Sequence, residues 1–274
     1  MKINPSRRII RWLMIVAAIY IACGVALYFL QEKFLFHPQQ LPADHVYAFH
    51  QPFKEINLAV SEEKNLSIIQ FTVPDAVCKG VVLYFHGNRK NVERYAPFAT
   101  NFTNNNYEVW MIDYPGFGKS TGTISEEVLY KDASNFYKMA NARFSSDSII
   151  IYGKSIGTGI ASYIASRTDC KRLILETPYY SIDALMNHYA FIYPVSAMTK
   201  YHLPSAIYME KVDAPVSIFH GDDDEIIPYK NAARLVAAAK PGQAELITIK
   251  EGKHNNLNNF PLFHTKLDSL LHLP

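Results

Sequence analysis

Apolar positions fall along this chain in three rhythms, and each predicts a different kind of element. Residues 12–30 form a nearly uninterrupted apolar run, long enough to cross a bilayer core of about 30 Å as a helix. Beyond it, short apolar runs at 80–85, 109–113, 148–152, 172–175, 216–219 and 245–249 are bounded by polar or glycine-containing stretches and predict buried strands. Between them lie stretches with helical spacing: one ending near Ala142, with Thr123 and Glu126 as a capping box, one at 158–167 and one at 260–271. Residues 53–60 and 66–73, joined by 61–65, predict an opening antiparallel hairpin. Strands that alternate with helices in this way predict an α/β protein, a mostly parallel doubly wound sheet in one domain over residues 53–274. No internal repeat or low-complexity segment interrupts the pattern.

The strand at 148–152 runs directly into Gly153-Lys154-Ser155-Ile156-Gly157, and the helix at 158–167 begins at once. This is the strand, turn, helix setting of a serine nucleophile elbow, in which small residues two before and two after the serine let strand and helix pass closely. A serine hydroxyl needs a base to take its proton and a third group to orient that base. Both are expected downstream. The strand at 216–219 leads into His220-Gly221-Asp222-Asp223-Asp224-Glu225, so an acid from that cluster is the expected third member. The strand at 245–249 leads into Gly252-Lys253-His254-Asn255, which makes His254 the candidate base. The order serine, acid, histidine is the one expected of α/β-hydrolases and differs from the chymotrypsin and subtilisin orders. Glu176, at the end of its strand, is held in reserve as the acid. His86 and His220 read as structural parts of H-G turns, His264 and His272 as helix-surface residues, and Asp113 and Asp132 as structural.

With these motifs in order, residues 53–272 resemble the α/β-hydrolase superfamily. His86-Gly87-Asn88 after the strand at 80–85 looks like the family's oxyanion loop, and Asp113-Tyr114-Pro115-Gly116-Phe117-Gly118-Lys119-Ser120 is similar to its D-Y-x-G-x-G-x-S turn. Within the superfamily the sequence resembles membrane-anchored serine hydrolases related to protein depalmitoylases and many bacterial homologues. That resemblance implies Asp224, matching H-G-x-x-D-x-x-[VI]-P, as the acid, and the backbone N–H groups of Asn88 and Ile156 as the oxyanion donors. It also implies an α/β-hydrolase fold with a short helical cap insert, here at about 178–213. One departure stands out: relatives commonly read H-G-N-A-G-N where this chain has Arg89 and Lys90, so Lys90 replaces a glycine. If that position requires φ > 0, the loop is expected to differ slightly.

The segment before the fold sets a second expectation. Lys2, Arg7, Arg8 and Arg11 precede the apolar run, and only Glu32 and Lys33 come close after it. The excess of positive charge predicts a cytoplasmic tail at 1–11, a transmembrane signal anchor at 12–30, a juxtamembrane segment at 31–52 and a catalytic domain on the periplasmic or lumenal side. A cleaved signal peptide fits less well, because the run stays apolar past Ala17, Ala18 and Ala22. Cys23 sits in an incomplete lipoprotein box, with Tyr20 where leucine is usual. Phe34, Leu35 and Phe36 are expected to hold the domain against the membrane surface.

The remaining composition narrows the field. A net charge of +2 signals no nucleic-acid partner, and three cysteines do not make a disulfide framework. Cys78 and Cys170 begin strands that the family's sheet order separates by the nucleophile strand, about 10 Å, beyond disulfide reach. No cofactor and no metal are implied. The insert is rich in Tyr179, Tyr180, Tyr189, Phe191, Tyr193, Tyr201 and Tyr208, which either wall a groove suited to an acyl chain or pack the insert onto the sheet. Together these readings predict a membrane-anchored serine hydrolase acting on an ester or acyl thioester of a small-molecule, lipid or acylated substrate. A peptidase or amidase, and a non-catalytic binding protein on the same fold, are the alternatives.

Overall fold

The computed structural model describes residues 5–61 and 64–273. Lys2 of the basic flank, and Glu62 and Glu63 in the turn of the opening hairpin, lie outside them. Eight strands form one sheet: β1 (Phe53–Ala59), β2 (Asn65–Phe71), β3 (Gly80–Phe85), β4 (Tyr107–Ile112), β5 (Ile149–Lys154), β6 (Arg172–Glu176), β7 (Val216–Gly221) and β8 (Ala244–Ile249). Across the sheet they run β8-β7-β6-β5-β3-β4-β2-β1. β1 and β2 form the expected antiparallel hairpin, β2 lies antiparallel to β4, and every pair from β4 to β8 is parallel.

Parallel strands buried on both faces place alternate residues in opposite apolar layers. Val81, Leu83 and Phe85 of β3 and Ile149 and Ile151 of β5 point into one layer, while Val82, Tyr84, Ile150 and Tyr152 point into the other. The first layer is closed by α2 (Glu126–Asn141), α3 (Gly157–Ala165) and α7 (Lys230–Ala238), the second by α8 (Pro261–His272) and the short turns of helix at 92–103. Each fully buried Leu, Ile or Phe contributes roughly 1.5–3 kcal/mol to holding these layers together. Because β3 and β5 are neighbours while the chain leaves β3 toward β4, a crevice opens above their carboxyl ends, the usual place for a ligand in such sheets.

Three short helices, α4 (Ile182–Tyr189), α5 (Val195–Met198) and α6 (Ser205–Met209), make up the insert between β6 and β7. The insert is tied to the start of α2 through Glu126, whose carboxylate accepts from the backbone N–H groups of His202 and Leu203 at 2.5 and 3.2 Å. That engagement explains why the expected capping box is shifted. Ser125, not Thr123, caps α2, accepting from Val128 N at 3.2 Å.

The amino-terminal helix α1 (Pro5–Leu35) has 31 residues and continues past the apolar run. Among the described residues it is the one helix long and apolar enough to cross a membrane. The residues after α1 are docked on the domain rather than hanging as a loose tether. His37 and Pro38 pair in parallel with Arg89 and Lys90, and Gln40 bridges to Gly118. Leu35 and Phe36 do not face outward as expected but are buried in the first apolar layer, where Phe36 packs edge-on to Tyr201 and Phe117. Of the three aromatic and aliphatic residues, only Phe34 is exposed, at 56%. The stretch between α1 and β1 is thus stitched over the carboxyl end of the sheet.

Candidate active site

Ser155 sits at the turn from β5 into α3 with φ of 52°, a left-handed conformation that costs a non-glycine residue about 1–2 kcal/mol. The two glycines of the pentapeptide serve close approach. A Cβ on Gly157 would stand 2.1 Å from the Phe85 carbonyl oxygen, and one on Gly153 would meet Gly157 O and Ala161 Cβ at 2.7 Å. Strand and helix therefore pass at a distance that no larger residue tolerates, and the serine is lifted above the sheet edge.

The loops after β7 and β8 bring the other expected groups to it. His254 Nδ1 donates to Asp224 Oδ2 at 2.9 Å, which leaves Nε2 to accept from the Ser155 hydroxyl, also at 2.9 Å. Asp224 is held from every side: Oδ1 accepts from Ile226 N and Ile227 N at 2.9 and 2.8 Å, and His220 Nε2 approaches Oδ2 at 3.3 Å. Burial pushes the Asp224 carboxyl up, but hydrogen bonds from His220 and His254 and the attraction of His254 outweigh it and hold the group well below the usual carboxylate range. Its neighbours are otherwise engaged. Asp222 accepts from Glu251 N at 2.6 Å, Asp223 lies 3.9 Å from Lys253, and Glu225 accepts from His254 N at 3.3 Å.

The reserve acid Glu176 is placed elsewhere. It is buried at the end of β6, where its carboxylate accepts from the Tyr152 hydroxyl and pairs with Lys154. Lys154 in turn lies 5.7 Å from the centre of the Phe98 ring. His86 is a buried structural residue between Gly87 O and Asp113, as its H-G turn suggests. His264 and His272 hydrogen-bond to backbone carbonyls of Asn258 and Asp268.

Asn88 and Ile156 both line a cavity of about 620 Å³ over Ser155, within the usual range for a ligand site. In the loop carrying Asn88, Lys90 takes φ of 63°, a left-handed conformation that glycine adopts without strain. Pairing with His37 and Pro38 holds the loop in this conformation against the local preference. Arg89 lines the cavity, and both cations are exposed to solvent.

The family model described as serine aminopeptidase, S33, matches residues 76–206. The alpha/beta hydrolase domain-containing protein 17C of Xenopus tropicalis is 29% identical over 195 residues, which cover 69% of this chain and 61% of that protein. The chain thus spans about three fifths of the length of the curated relatives it matches. Among solved structures, an esterase of Pyrococcus furiosus superposes with a TM-score of 0.67 at 16% identity, over 86% of this chain and 96% of the esterase. A soluble variant of the monoglyceride lipase of Saccharomyces cerevisiae, in complex with a substrate analogue, superposes with a TM-score of 0.62 at 16% identity, over 85% and 98% of the two chains. Sheet order, elbow and relatives agree. This chain has the α/β-hydrolase fold.

Two features of the candidate site were not anticipated from the sequence. His220 reaches Asp224 because the three residues between them fold back in a tight turn, and the H-G turn alone gives no sign of it. The second is the contribution of α1: Leu27, Phe34 and Leu35 line the cavity together with Leu185, Met186, Tyr189 and Ile192 of the insert region. The insert aromatics divide between the two expected uses. Tyr179, Tyr189 and Tyr193 line the cavity, whereas Tyr201 is buried against Phe36 and Tyr208 packs on Tyr130 and Tyr163.

Proposed function

We propose that this protein is a membrane-anchored serine hydrolase that cleaves a carboxylic ester or an acyl thioester through an acyl-enzyme on Ser155. The observation that carries the reading is the unbroken relay from Asp224 through His254 to Ser155, 2.9 Å at each step, beneath a cavity with an apolar wall. In the first half-reaction His254 Nε2 takes the hydroxyl proton as Ser155 Oγ bonds to the acyl carbon. The carbonyl electron pair moves to oxygen, where the N–H groups of Asn88 and Ile156 stabilise it by roughly 3 kcal/mol each. Collapse breaks the bond to the alcohol or thiol, which leaves with the proton from His254. Water then repeats the sequence on the acyl-enzyme and releases a carboxylic acid and free serine. Asp224 keeps the imidazole in the productive tautomer and remains ionised throughout.

α1 serves as the anchor in this reading. The positive charge of Arg7, Arg8 and Arg11 before the apolar run supports a cytoplasmic amino terminus, with the hydrolase domain on the opposite side. The resemblance to depalmitoylase-related hydrolases favours an acyl ester or thioester. The match to a family described as serine aminopeptidase supports a second reading, hydrolysis of an amide, which uses the same groups and differs only in the leaving amine.

The test is labelling of the full-length protein with a fluorophosphonate probe, in wild type, Ser155→Ala and His254→Ala, with mapping of the modified peptide. Labelling at Ser155 that depends on His254 is expected. A panel of acyl esters, acyl thioesters and aminoacyl arylamides then separates the two leaving-group classes. A folded wild type that neither labels nor turns over any of the three sinks the catalytic reading.

A further inference from the structure

The insert and α1 meet along a line that fixes how deep the insert lies beside the helix. The Tyr20 and Tyr193 rings stack with centroids 4.6 Å apart and planes 11° from parallel. The Tyr20 hydroxyl donates to the Ile192 carbonyl at 2.8 Å, and the Tyr193 hydroxyl donates to the Tyr20 carbonyl at 3.1 Å. Gly24 makes room for this contact, since a Cβ there would stand 3.0 Å from the Tyr193 ring. Toward the end of α1, Gln31 donates to the Met198 carbonyl at 3.2 Å and accepts from Lys200 N at 2.7 Å. The insert therefore runs back along α1 from Gln31 to Tyr20, about 16 Å at 1.5 Å per residue.

With α1 as the membrane span, about 30 Å of hydrocarbon extends from the level of Arg11 to that of Gln31. Tyr20 then lies roughly 14 Å from Arg11, close to the midplane, and the turn joined to it lies at the same depth. The chemistry of that turn suits the depth. Tyr189, Phe191 and Ile192 are 57%, 76% and 58% exposed, and residues 189–199 carry no charged side chain. In hydrocarbon every backbone carbonyl needs a donor, and the Tyr20 hydroxyl supplies one to Ile192. In water the same three side chains would form an apolar patch with nothing to cover it.

We propose that the turn at residues 189–193 is immersed in the bilayer beside α1. The acyl chain of a bilayer lipid ester then reaches Ser155 laterally, through the cavity wall that Leu27 and Phe34 of α1 share with Tyr189 and Ile192 of the turn. This proposal deepens the hydrolase reading and rests on it for the substrate. Its membrane part does not depend on turnover. α1 becomes part of the substrate site as well as a tether, and the lipid reaches the cavity without crossing the aqueous phase.

The experiment uses the full-length protein, with Trp12→Phe to remove the membrane indole, reconstituted in phosphatidylcholine and phosphatidylglycerol vesicles. Trp110, buried in the domain, gives the unquenched baseline. Phe191→Trp is expected to add blue-shifted emission, more than half of it lost when the lipids carry bromine on their acyl chains. Emission typical of an indole in water, with no quenching above the Trp110 baseline, overturns immersion. Phe191→Lys provides the second arm: hydrolysis of a lipid ester in the vesicles is expected to fall at least tenfold, with hydrolysis of a soluble short-chain ester unchanged. An equal effect on both substrates, or on neither, overturns the lateral route. If wild type hydrolyses neither ester, the lateral route for a lipid ester fails, fluorophosphonate labelling of Ser155 decides the hydrolase reading separately, and the quenching result still decides immersion.

Discussion

The Asn88 side chain donates to the carbonyl of Leu35 at 2.9 Å, so the loop after β3 is fastened to the last turn of the amino-terminal helix. The same loop carries a backbone N–H proposed to stabilise the oxyanion. Asn88→Ala keeps that N–H and removes only the tether, worth about 1 kcal/mol. The expected result is a loss of roughly five- to tenfold in kcat on a soluble ester, with KM little changed. Steady-state kinetics on the full chain decide the matter, and unchanged kcat would mean that the loop holds its shape without α1.

Lys90 occupies a left-handed position, φ 63°. The conformation costs a side-chain-bearing residue about 1–2 kcal/mol, while glycine adds about 0.4–1 kcal/mol of chain entropy to the unfolded state. The first effect wins, so Lys90→Gly is expected to stabilise the protein by about 0.5–1 kcal/mol. A rise in the urea midpoint with unchanged slope is the signature to look for.

Two carboxylates near the elbow have opposite assignments, and neutral isosteres separate them. Asp224→Asn removes the acceptor that orients His254, and kcat should drop by about 10⁴. Glu176 faces Lys154 and Tyr152, so Glu176→Gln should leave kcat within a few-fold. Removing the cation instead leaves a buried carboxylate unpaired: Lys154→Met should cost about 3–5 kcal/mol of stability, and adding Glu176→Gln should recover much of it. Equal losses of activity at Asp224 and Glu176 would reverse the assignment of the acid.

The Asp224 carboxyl also predicts a pH dependence of stability. Its folded pKa lies well below the usual value, with burial opposing and the hydrogen bonds from His220 and His254 prevailing. A depressed carboxyl stabilises the fold at pH values above its unfolded pKa, about 3.9, and that contribution is lost as pH falls from there toward the folded value. The stability gap between wild type and Asp224→Asn should therefore be constant above about pH 5 and narrow below about pH 4. Urea unfolding at pH 7, 5 and 3.5 measures it, and a gap that widens in acid would contradict the argument.

The sheet and most of the candidate site are legible in the order of residues alone. Each parallel strand announces itself as a short apolar run because both faces are buried, and the elbow announces itself because only glycine fits where β5 and α3 touch. Ser155 and His254 stand out as residue types at strand ends, whereas the choice of Asp224 needs the resemblance, since three aspartates stand in a row and spacing does not separate them. The capping residue of α2 differs from the expected one by two positions because Glu126 is claimed by the insert, a contact between segments 76 residues apart.

The role of the chain before the sheet emerges only on folding. Leu35, Phe36, Leu27 and Phe34 read identically in a hydropathy pattern, which records how apolar a segment is and not which neighbour it will meet. Folding sends the first two into the domain core and lines the cavity with Leu27, Leu35 and Phe34, because α1 docks on the insert through Tyr20, Gly24 and Gln31. His220 obeys the same rule: its place beside Asp224 arises from a turn closing in space. Local pattern is set by each residue's own preference for water or apolar surroundings, and partnership across the chain is set by packing.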